Sequence, residues 1–373
     1  MHCLEDLIDQ TRRRFSQNNS TVQSYVGEKN IDRALLDQAL ALSHEFGWYS
    51  NFGPVSQLLE AYIAKDLQLP DHRCVVATAN GTCALMALLG LHDYLHHKKL
   101  RWVVSGYGFF STAIGPLQEA KIVDCDENGM LDLAQLKQLD PSSYDGIILT
   151  NVVGVVGDIQ AHKDFCQENN KLLLMDNAAA YYTPVRDGGI DEIVSFHHTK
   201  PAGFGEGGCV IVDKKHAPII RSLINFSVNL DEVGRYNYIA QNGKISDLAC
   251  AYILQQLIQL QENKMYYQAQ YIRIKNISKN LGFEIMQEIS QDNICRHLPG
   301  SVPVLSNKMT SNDDLLNKHF VMRKYYKPLT AGCDKAEGIY SKNINIPCHP
   351  GMKNVTDETV KKVLADHMNL GKE

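Results

Sequence analysis

Ser195-Phe-His-His-Thr-Lys200-Pro-Ala-Gly-Phe-Gly-Glu206-Gly-Gly208, with Met175-Asp-Asn-Ala-Ala-Ala180 upstream of it, decides how the rest of the chain is read. The longer stretch sets one lysine in an apolar, glycine-rich context with the hydroxyls of Ser195 and Thr199 beside it. The shorter one closes an apolar run on a carboxylate, Asp176. A lysine that serves as a Schiff-base nucleophile needs such surroundings, because it must be held still and partly desolvated to lose its proton near neutral pH. An acid for a ring nitrogen and donors for a phosphate are the other parts of such a site. Both have candidates in the flanking chain.

Working outward, Glu192–His197 and Gly208–Asp213 read as strands, so Lys200 lies in the loop between them. Lys171–Asp176 is a buried-strand pattern that stops on its acid, and Asp145–Thr150 is a further strand ending at Asn151-Val-Val-Gly154. Trp102-Val-Val-Ser reads as a strand, Phe109-Phe-Ser-Thr112 opens a helix expected to reach about Gln118, and Lys121–Asp126 is another short strand. Cys74-Val-Val-Ala-Thr is followed by Ala79-Asn80-Gly81-Thr82-Cys83 and an apolar helix from Ala84 to Leu91. Strand, small polar turn and helix together put backbone N–H groups and a hydroxyl at a helix N-terminus, where phosphate binds readily. Thr82 equally fits a simple N-cap. Apolar strands separated by helical segments predict an α/β protein with a mostly parallel central sheet between helices. Ligands of such sheets lie beyond the carboxyl ends of the strands, which is where Thr82, Phe109, Asn151 and Asp176 fall.

The flanks are less specific. Residues 1–45 are polar with helical spacing, and the loop Gly47-Trp-Tyr-Ser-Asn51-Phe-Gly53-Pro54 precedes an amphipathic run from Val55 to Leu67. Trp48, Tyr49 and Asn51 fit either aromatic packing between helices or substrate contact. A polar turn, Asn242-Gly-Lys-Ile-Ser-Asp-Leu248, feeds an apolar helix from Ala249 that runs on to about Leu281. Strands at Ser301–Leu305 and Asn343–Ile346 and helices at Asn312–His319 and Thr356–Met368 follow. The expected division is a large domain, 1–260, with an N-terminal helical segment, and a smaller C-terminal α+β domain, 261–373, the boundary lying inside the long helix.

The 373 residues are 44% hydrophobic and 21% charged, ordinary globular composition. A net charge of -5 provides no basic field for nucleic acid. The 10 cysteines form no Cys-x-x-Cys pair and read as reduced. The start, Met-His-Cys-Leu-Glu-Asp, lacks a signal-peptide pattern, and Gly146–Gly157 is too short to span a bilayer. A cytoplasmic protein with no membrane partner is expected. No metal site is expected either: His197 and His198 read as packing, and Asp124 and Asp126 as turn or strand-end residues.

At Asp176, Ser195 and Lys200 together the chain resembles the fold-type I pyridoxal-phosphate (PLP) transferases, specifically the DegT/DnrJ/EryC1/StrS family of nucleotide-sugar aminotransferases. The lysine motif matches from Ser195 to Gly208, and the likeness extends in order from Gly53-Pro54 through Asn80-Gly-Thr82 to Asn242–Leu248. It resumes weakly at Arg323-Lys-Tyr-Tyr-Lys-Pro328 and Pro347-Cys-His349-Pro-Gly-Met352. The resemblance implies that Lys200 carries the PLP and that Asp176 keeps its pyridine nitrogen protonated. It implies that Gly81, Thr82 and Ser195 hold the phosphate and that Phe109 stacks on the ring. Asn242, preferred over Asn237 for its motif context, would reach the phosphate of a neighbouring subunit, so a homodimer with shared sites is implied. L-glutamate would be the amino donor and a nucleotide-linked keto-deoxysugar the acceptor, with dTDP-4-keto-6-deoxyhexose first and a 3-keto sugar behind it. Surface-polysaccharide (O-antigen) or deoxyaminosugar biosynthesis would be the setting. Trp48, Asn51 and His349 are substrate candidates, and Arg323, Lys327 and Arg235 are candidates for a pyrophosphate. The family's alternatives are a PLP-dependent sugar dehydratase, which carries His where Lys200 stands, and a non-catalytic regulatory relative. One departure stands out: Ala179 occupies a position where the family carries Gln or His near the ring hydroxyl, leaving Asn177, Tyr181 or water to supply that contact. Ser105-Gly-Tyr-Gly before Phe109 is also unlike the family's common pattern.

Overall fold

Hydrophobic alternation sorts the strand side chains onto two faces of one sheet, and this sheet positions everything else. The computed structural model describes residues 2–16, 22–154, 157–184, 186, 189–230 and 239–369. The N-terminal helices are α1 (His2–Ser16), α2 (Arg33–Phe46) and α3 (Pro54–Asp66). The sheet is built from β1 (Arg73–Thr78), β2 (Trp102–Ser105), β3 (Lys121–Val123), β4 (Gly146–Thr150), β5 (Leu172–Asp176), β6 (Glu192–Ser195) and β7 (Gly208–Asp213). Among these run α4 (Gly81–His96), the short α5 (Leu133–Leu136) and α6 (Gln160–Glu168), and after β7 comes α7 (Ala217–Leu223). The strand order is β1-β7-β6-β5-β4-β2-β3. Every neighbouring pair is parallel except the two that β7 makes.

Val76, Val104, Ile148, Leu174 and Val210 pack under α4 and α7 on one face. Their neighbours in sequence point the other way. Val75, Val194 and Ile211 meet α2, α3 and the long helix α8 (Asp247–Asn280), while Val103, Ile147 and Met175 meet α6. A sheet covered on both faces explains why its strands read as nearly unbroken apolar runs.

Helix α8 starts at Ser246, whose hydroxyl accepts the Ala249 N–H at 3.2 Å. Its Cys250, Ile253, Leu254, Leu257, Leu260 and Tyr267 are buried in the large-sheet core, and its Tyr271, Ile274 and Ile277 in a second core. That second core belongs to a three-stranded antiparallel sheet, β10-β9-β8, made of β8 (Glu284–Ile285), β9 (Ser301–Leu305) and β10 (Asn343–Pro347) with α9 (Asp334–Lys342) and α10 (Asp357–Asn369). The lobes are further joined at Asp124, which receives the N–H groups of Lys335 at 2.8 Å and Ala336 at 3.0 Å and so caps α9. Asp126 takes the N–H groups of Asn128 and Met130, each at 2.9 Å, within a turn.

Two expected helices are absent. The segment after Phe109 forms two 3-10 turns, Phe110–Ala113 and Gly115–Glu119. Ile114 is extended between them (φ -123°, ψ 165°), and Gly115 has φ 56°. In place of a helix over Asn312–His319 there is one 3-10 turn, Asp313–Leu315. There the Asn317 side chain takes the backbone N–H groups of His319 (2.9 Å) and Phe320 (3.0 Å), the local competition that makes Asn a poor helix residue.

An unpredicted element completes the architecture. Residues 22–32, between α1 and α2, run as an extended strap across both lobes. Gln23 bridges Phe320, the Ser24 carbonyl accepts from His349 Nε2 at 2.8 Å, and the Asp32 N–H reaches Gln255 Oε1 on α8 at 3.0 Å. Among the described residues no helix is long and apolar enough to cross a membrane.

Candidate active site

A cavity of about 580 Å³ opens at the carboxyl ends of the parallel strands, a volume usual for small-ligand sites. Its large-lobe wall carries Asn80, Gly81, Thr82, Phe109, Asn151, Asp176, Ser195 and Lys200. The small lobe contributes Ser301, Tyr325, Tyr326 and His349, α8 contributes Tyr267, and the strap contributes Tyr25, Gly27 and Lys29.

Register explains the convergence. Gly208 pairs with Thr78 on one side and with Ser195 on the other, so the ends of β1 and β6 meet across the first residue of β7. A Cβ at Gly208 would stand 2.6 Å from the backbone of Asn80 and Gly81, and one at Gly81 would stand 2.9 Å from Ser195 Cβ. Only glycines let the N-terminus of α4 settle against the strand ends. Asn80 caps that helix, its Oδ1 accepting the Cys83 N–H at 2.8 Å. The N–H groups of Gly81 and Thr82, the first helical positions, therefore have no intrahelical partner and line the cavity beside the Ser195 hydroxyl. With the helix dipole they make an anion cradle.

Asp176 lies at the far wall, 2% exposed. Its Oδ1 accepts the Ala178 N–H at 3.0 Å. Burial pushes its carboxyl pKa up, and that N–H and the charge of Lys200 oppose the shift. Burial likewise pushes the Lys200 ammonium pKa down, against the pull of Asp176. A desolvated carboxylate facing a desolvated amine suits a ligand that brings its own cationic nitrogen.

Beside Asp176 runs a buried polar chain. Arg186 grips Glu192 through two hydrogen bonds (2.7 and 2.9 Å). Glu192 Oε2 accepts from Asn177 Nδ2 at 2.5 Å, and Asn177 Oδ1 accepts from Asn151 Nδ2. This order spends the amide of Asn177 and leaves Asn151 Oδ1 buried without a partner. Tyr181 is also spent, its hydroxyl donating to Asp66 at 2.7 Å. Neither side chain expected to replace the missing group at Ala179 is free, and two polar residues lie beside Asp176: Thr150 pairs with it in register, and the Asn151 N–H bonds its carbonyl at 3.0 Å.

Phe109 is 52% exposed at the mouth and meets Tyr326 edge to face at 6.3 Å. His197 Nδ1 pairs with the Thr199 hydroxyl at 2.8 Å, and His349 is buried with Nδ1 unpartnered. The other sequence candidates lie elsewhere. Trp48, Asn51, Arg323 and Lys327 are exposed and outside the cavity lining. Asn242 is exposed too, its Oδ1 accepting from Lys244 Nζ at 2.7 Å. Arg235 and Asn237 lie outside the described residues. Asp247, from the same motif as Asn242, is fully buried and structural: its carboxylate takes the N–H groups of Val55 (3.0 Å) and Ser56 (3.1 Å) at the start of α3 and the Ser43 hydroxyl (2.9 Å).

A lysine between β6 and β7, with an aspartate at the end of β5 and an anion cradle at the start of α4, is an arrangement of this α/β fold that could hold PLP. The chain belongs to the DegT/DnrJ/EryC1/StrS aminotransferase family, whose model matches residues 30–366. A Mycobacterium tuberculosis protein, Rv3402c, is 28% identical over 230 residues, covering 57% of this chain and 54% of that protein. The chain thus spans about half the length of the curated relatives it matches. The crystal structure of DesI, analysed in the presence of its TDP-sugar product, has a TM-score of 0.74 at 22% identity, covering 91% of this chain and 90% of that one. Helicobacter pylori PseC, an aminotransferase involved in pseudoaminic acid biosynthesis, has a TM-score of 0.74 at 18% identity, covering 93% and 98%. At these identities the shared property is the fold. PLP is the family's cofactor, and the residues here fit it: an amine, a buried carboxylate, a glycine-made cradle that any Cβ would fill, and an orphaned amide oxygen.

Proposed function

We propose that the protein is a sugar aminotransferase that moves an amino group from L-glutamate to a nucleotide-linked keto-deoxysugar, with dTDP-4-keto-6-deoxyhexose as the first acceptor to try. The observation that carries this reading is the meeting of Lys200, Asp176 and the α4 N-terminus in one cavity. PLP bound there supplies an electron sink for charge developing at the donor's Cα.

The protein's own groups do the rest. Asp176, as a carboxylate, holds a proton on the ring nitrogen. The Gly81 and Thr82 N–H groups and the Ser195 hydroxyl hold the phosphate, and Phe109 covers the ring. Lys200 Nζ, its pKa lowered by burial, is poised to take the proton from the donor's Cα and to return it on the acceptor half-reaction. Tyr25, Tyr267, Tyr325 and Tyr326 narrow the opposite wall, which suits a sugar stacked on apolar rings with hydroxyls in reach. His349 belongs to this wall as a substrate contact. Lysine at position 200 supports transamination over dehydration, because the dehydratase relatives carry His there.

A homodimer completes the proposal. Asn242, exposed and outside the lining of its own cavity, would serve a partner's phosphate cradle, and Phe226, Leu248 and Trp48 leave apolar surface exposed (60%, 51% and 51%).

Incubating the PLP-loaded protein with L-glutamate and a panel of dTDP-, UDP- and GDP-keto sugars, and following 2-oxoglutarate release, tests this directly. Sustained turnover with one nucleotide sugar, absent in Lys200→Ala, is expected. Glutamate conversion with no acceptor from the panel would overturn the acceptor assignment, and activity surviving Lys200→Ala would overturn the mechanism.

A further inference from the structure

Every N–H donor of the Lys29 ammonium ends on the turn that carries Lys200. Lys29 Nζ donates to the carbonyl oxygens of Lys200 (2.8 Å), Pro201 (3.0 Å) and Gly203 (2.7 Å). These carbonyls converge as they do at the end of a helix, where a cation is favoured, and charge-assisted hydrogen bonds of this kind are among the stronger ones. The turn is closed from within by the Lys200 N–H on the His197 carbonyl (2.8 Å) and the Gly203 N–H on the Lys200 carbonyl (3.0 Å). Gln256 on α8 adds one bond to Pro201 at 3.1 Å.

We infer that Lys29 is a positioning residue for Lys200: by gathering these carbonyls it fixes the backbone from which the cofactor lysine extends. The inference rests on Lys200 being that lysine. Lys29 comes from the strap, not from either lobe's sheet. The same strap is pinned to the small lobe through Gln23 and Ser24, and a Cβ at its Gly27 would stand 2.9 Å from His349 Cβ. Lys29 therefore ties the Lys200 turn to the opposite wall of the cavity. Burial lowers its pKa to about 7, so the ammonium stands where its charge is costly.

The test compares Lys29→Met and Lys29→Arg with the parent protein, full chain, first free of cofactor and then loaded with PLP. In the cofactor-free Lys29→Met protein the amides of Lys200 and Gly203 should exchange about tenfold faster, while those of β4 and β5 do not change. With PLP bound, the pH at which the visible absorption band titrates should shift, and kcat should fall about tenfold with KM within about twofold. Lys29→Arg, which keeps the charge, should restore most of the protection. Unchanged exchange at Lys200 and Gly203, or a loss spread evenly over the sheet, would overturn the inference. Should Lys29→Met fail to fold, Lys29→Gln, which retains a donor, carries the same comparison. Lys200→Ala is a separate arm: if the lysine-dependent absorption survives it, the cofactor assignment falls while the exchange data still decide Lys29.

Discussion

Asp176 shows how one buried carboxylate divides its effect between stability and chemistry. Its pKa in the folded, cofactor-free protein is raised above the unfolded value because burial disfavours the charged form. The native state then binds more protons than the unfolded one between the two pKa values, so stability falls as pH climbs through that window. The loss begins above about pH 4, the ordinary aspartate value, and is fully present once the native carboxyl has ionised. Asp176→Asn, neutral throughout, escapes it. Without cofactor, the variant should melt higher than the parent at pH 7 and lose that advantage at pH 4, as thermal unfolding at the two pH values will read. With cofactor, and with Asp176 in its proposed role, the order reverses in function: an amide would not hold a proton on the ring nitrogen, and kcat should drop by about 10²–10⁴, the range of a lost acid–base partner. A variant that unfolds identically at both pH values, or that keeps full kcat, would contradict this account. At the same scale, Asn151 illustrates a role set by neighbours, because the grip of Arg186 on Glu192 fixes Asn177 and so decides which end of the Asn151 amide is left over.

At the scale of elements the site depends on how closely α4 approaches the strand ends. Gly208→Ala would press a methyl group onto the Asn80–Gly81 backbone at 2.6 Å, and backbone cannot swing aside as a side chain can. The variant should lose about 1–3 kcal/mol of stability, the usual cost of overpacking. Its PLP affinity should weaken by about tenfold or more, since the Gly81 and Thr82 N–H groups move off the phosphate. Denaturant melts and PLP titration measure the two effects, and a Gly208→Ala protein with parental affinity would remove the cradle from the account. Gly208 also marks what could be seen beforehand. The apolar strands, the long helix and the glycine-rich lysine loop were legible because burial on both faces and tight backbone approach leave strong local signatures: unbroken Val/Ile/Leu runs and fixed glycines. The 3-10 turns after Phe109 were not, since Ile114 and Gly115 break a stretch whose composition suits a helix. The strap was missed for another reason. An extended segment held at Gln23, Ser24 and Lys29 by long-range hydrogen bonds has no period, and Lys29 among charged neighbours looks like solvent-facing sequence. Tyr267 was hidden within a helix pattern in the same way, its cavity role set by where α8 passes between the two cores.

Helix α8 passes from a core on the large sheet into that of the small lobe, and the cavity lies between the large sheet, the small lobe and the strap. Most of the residues expected for cofactor chemistry meet there, but Asn242 does not. Its motif partner Asp247 is consumed in holding α3, so α8 starts at a fixed place while Asn242 stays exposed on the preceding turn. An exposed residue outside the lining of its own cavity would gain a role if a two-fold partner brought its cavity to it, and isologous contact would make such an exchange reciprocal. Complementation decides the matter. Lys200→Ala and Asn242→Ala homodimers each carry two defective sites. In a mixed dimer with shared sites, one site collects both changes and the other is wild type. Unfolding and refolding an equimolar mixture should give mixed dimers as about half the population and recover about a quarter of wild-type activity. The two variants assayed separately should each stay well below that level. If Asn242 served its own chain, mixing would yield only the average of the two variants, and a monomer by light scattering would end the shared-site proposal outright.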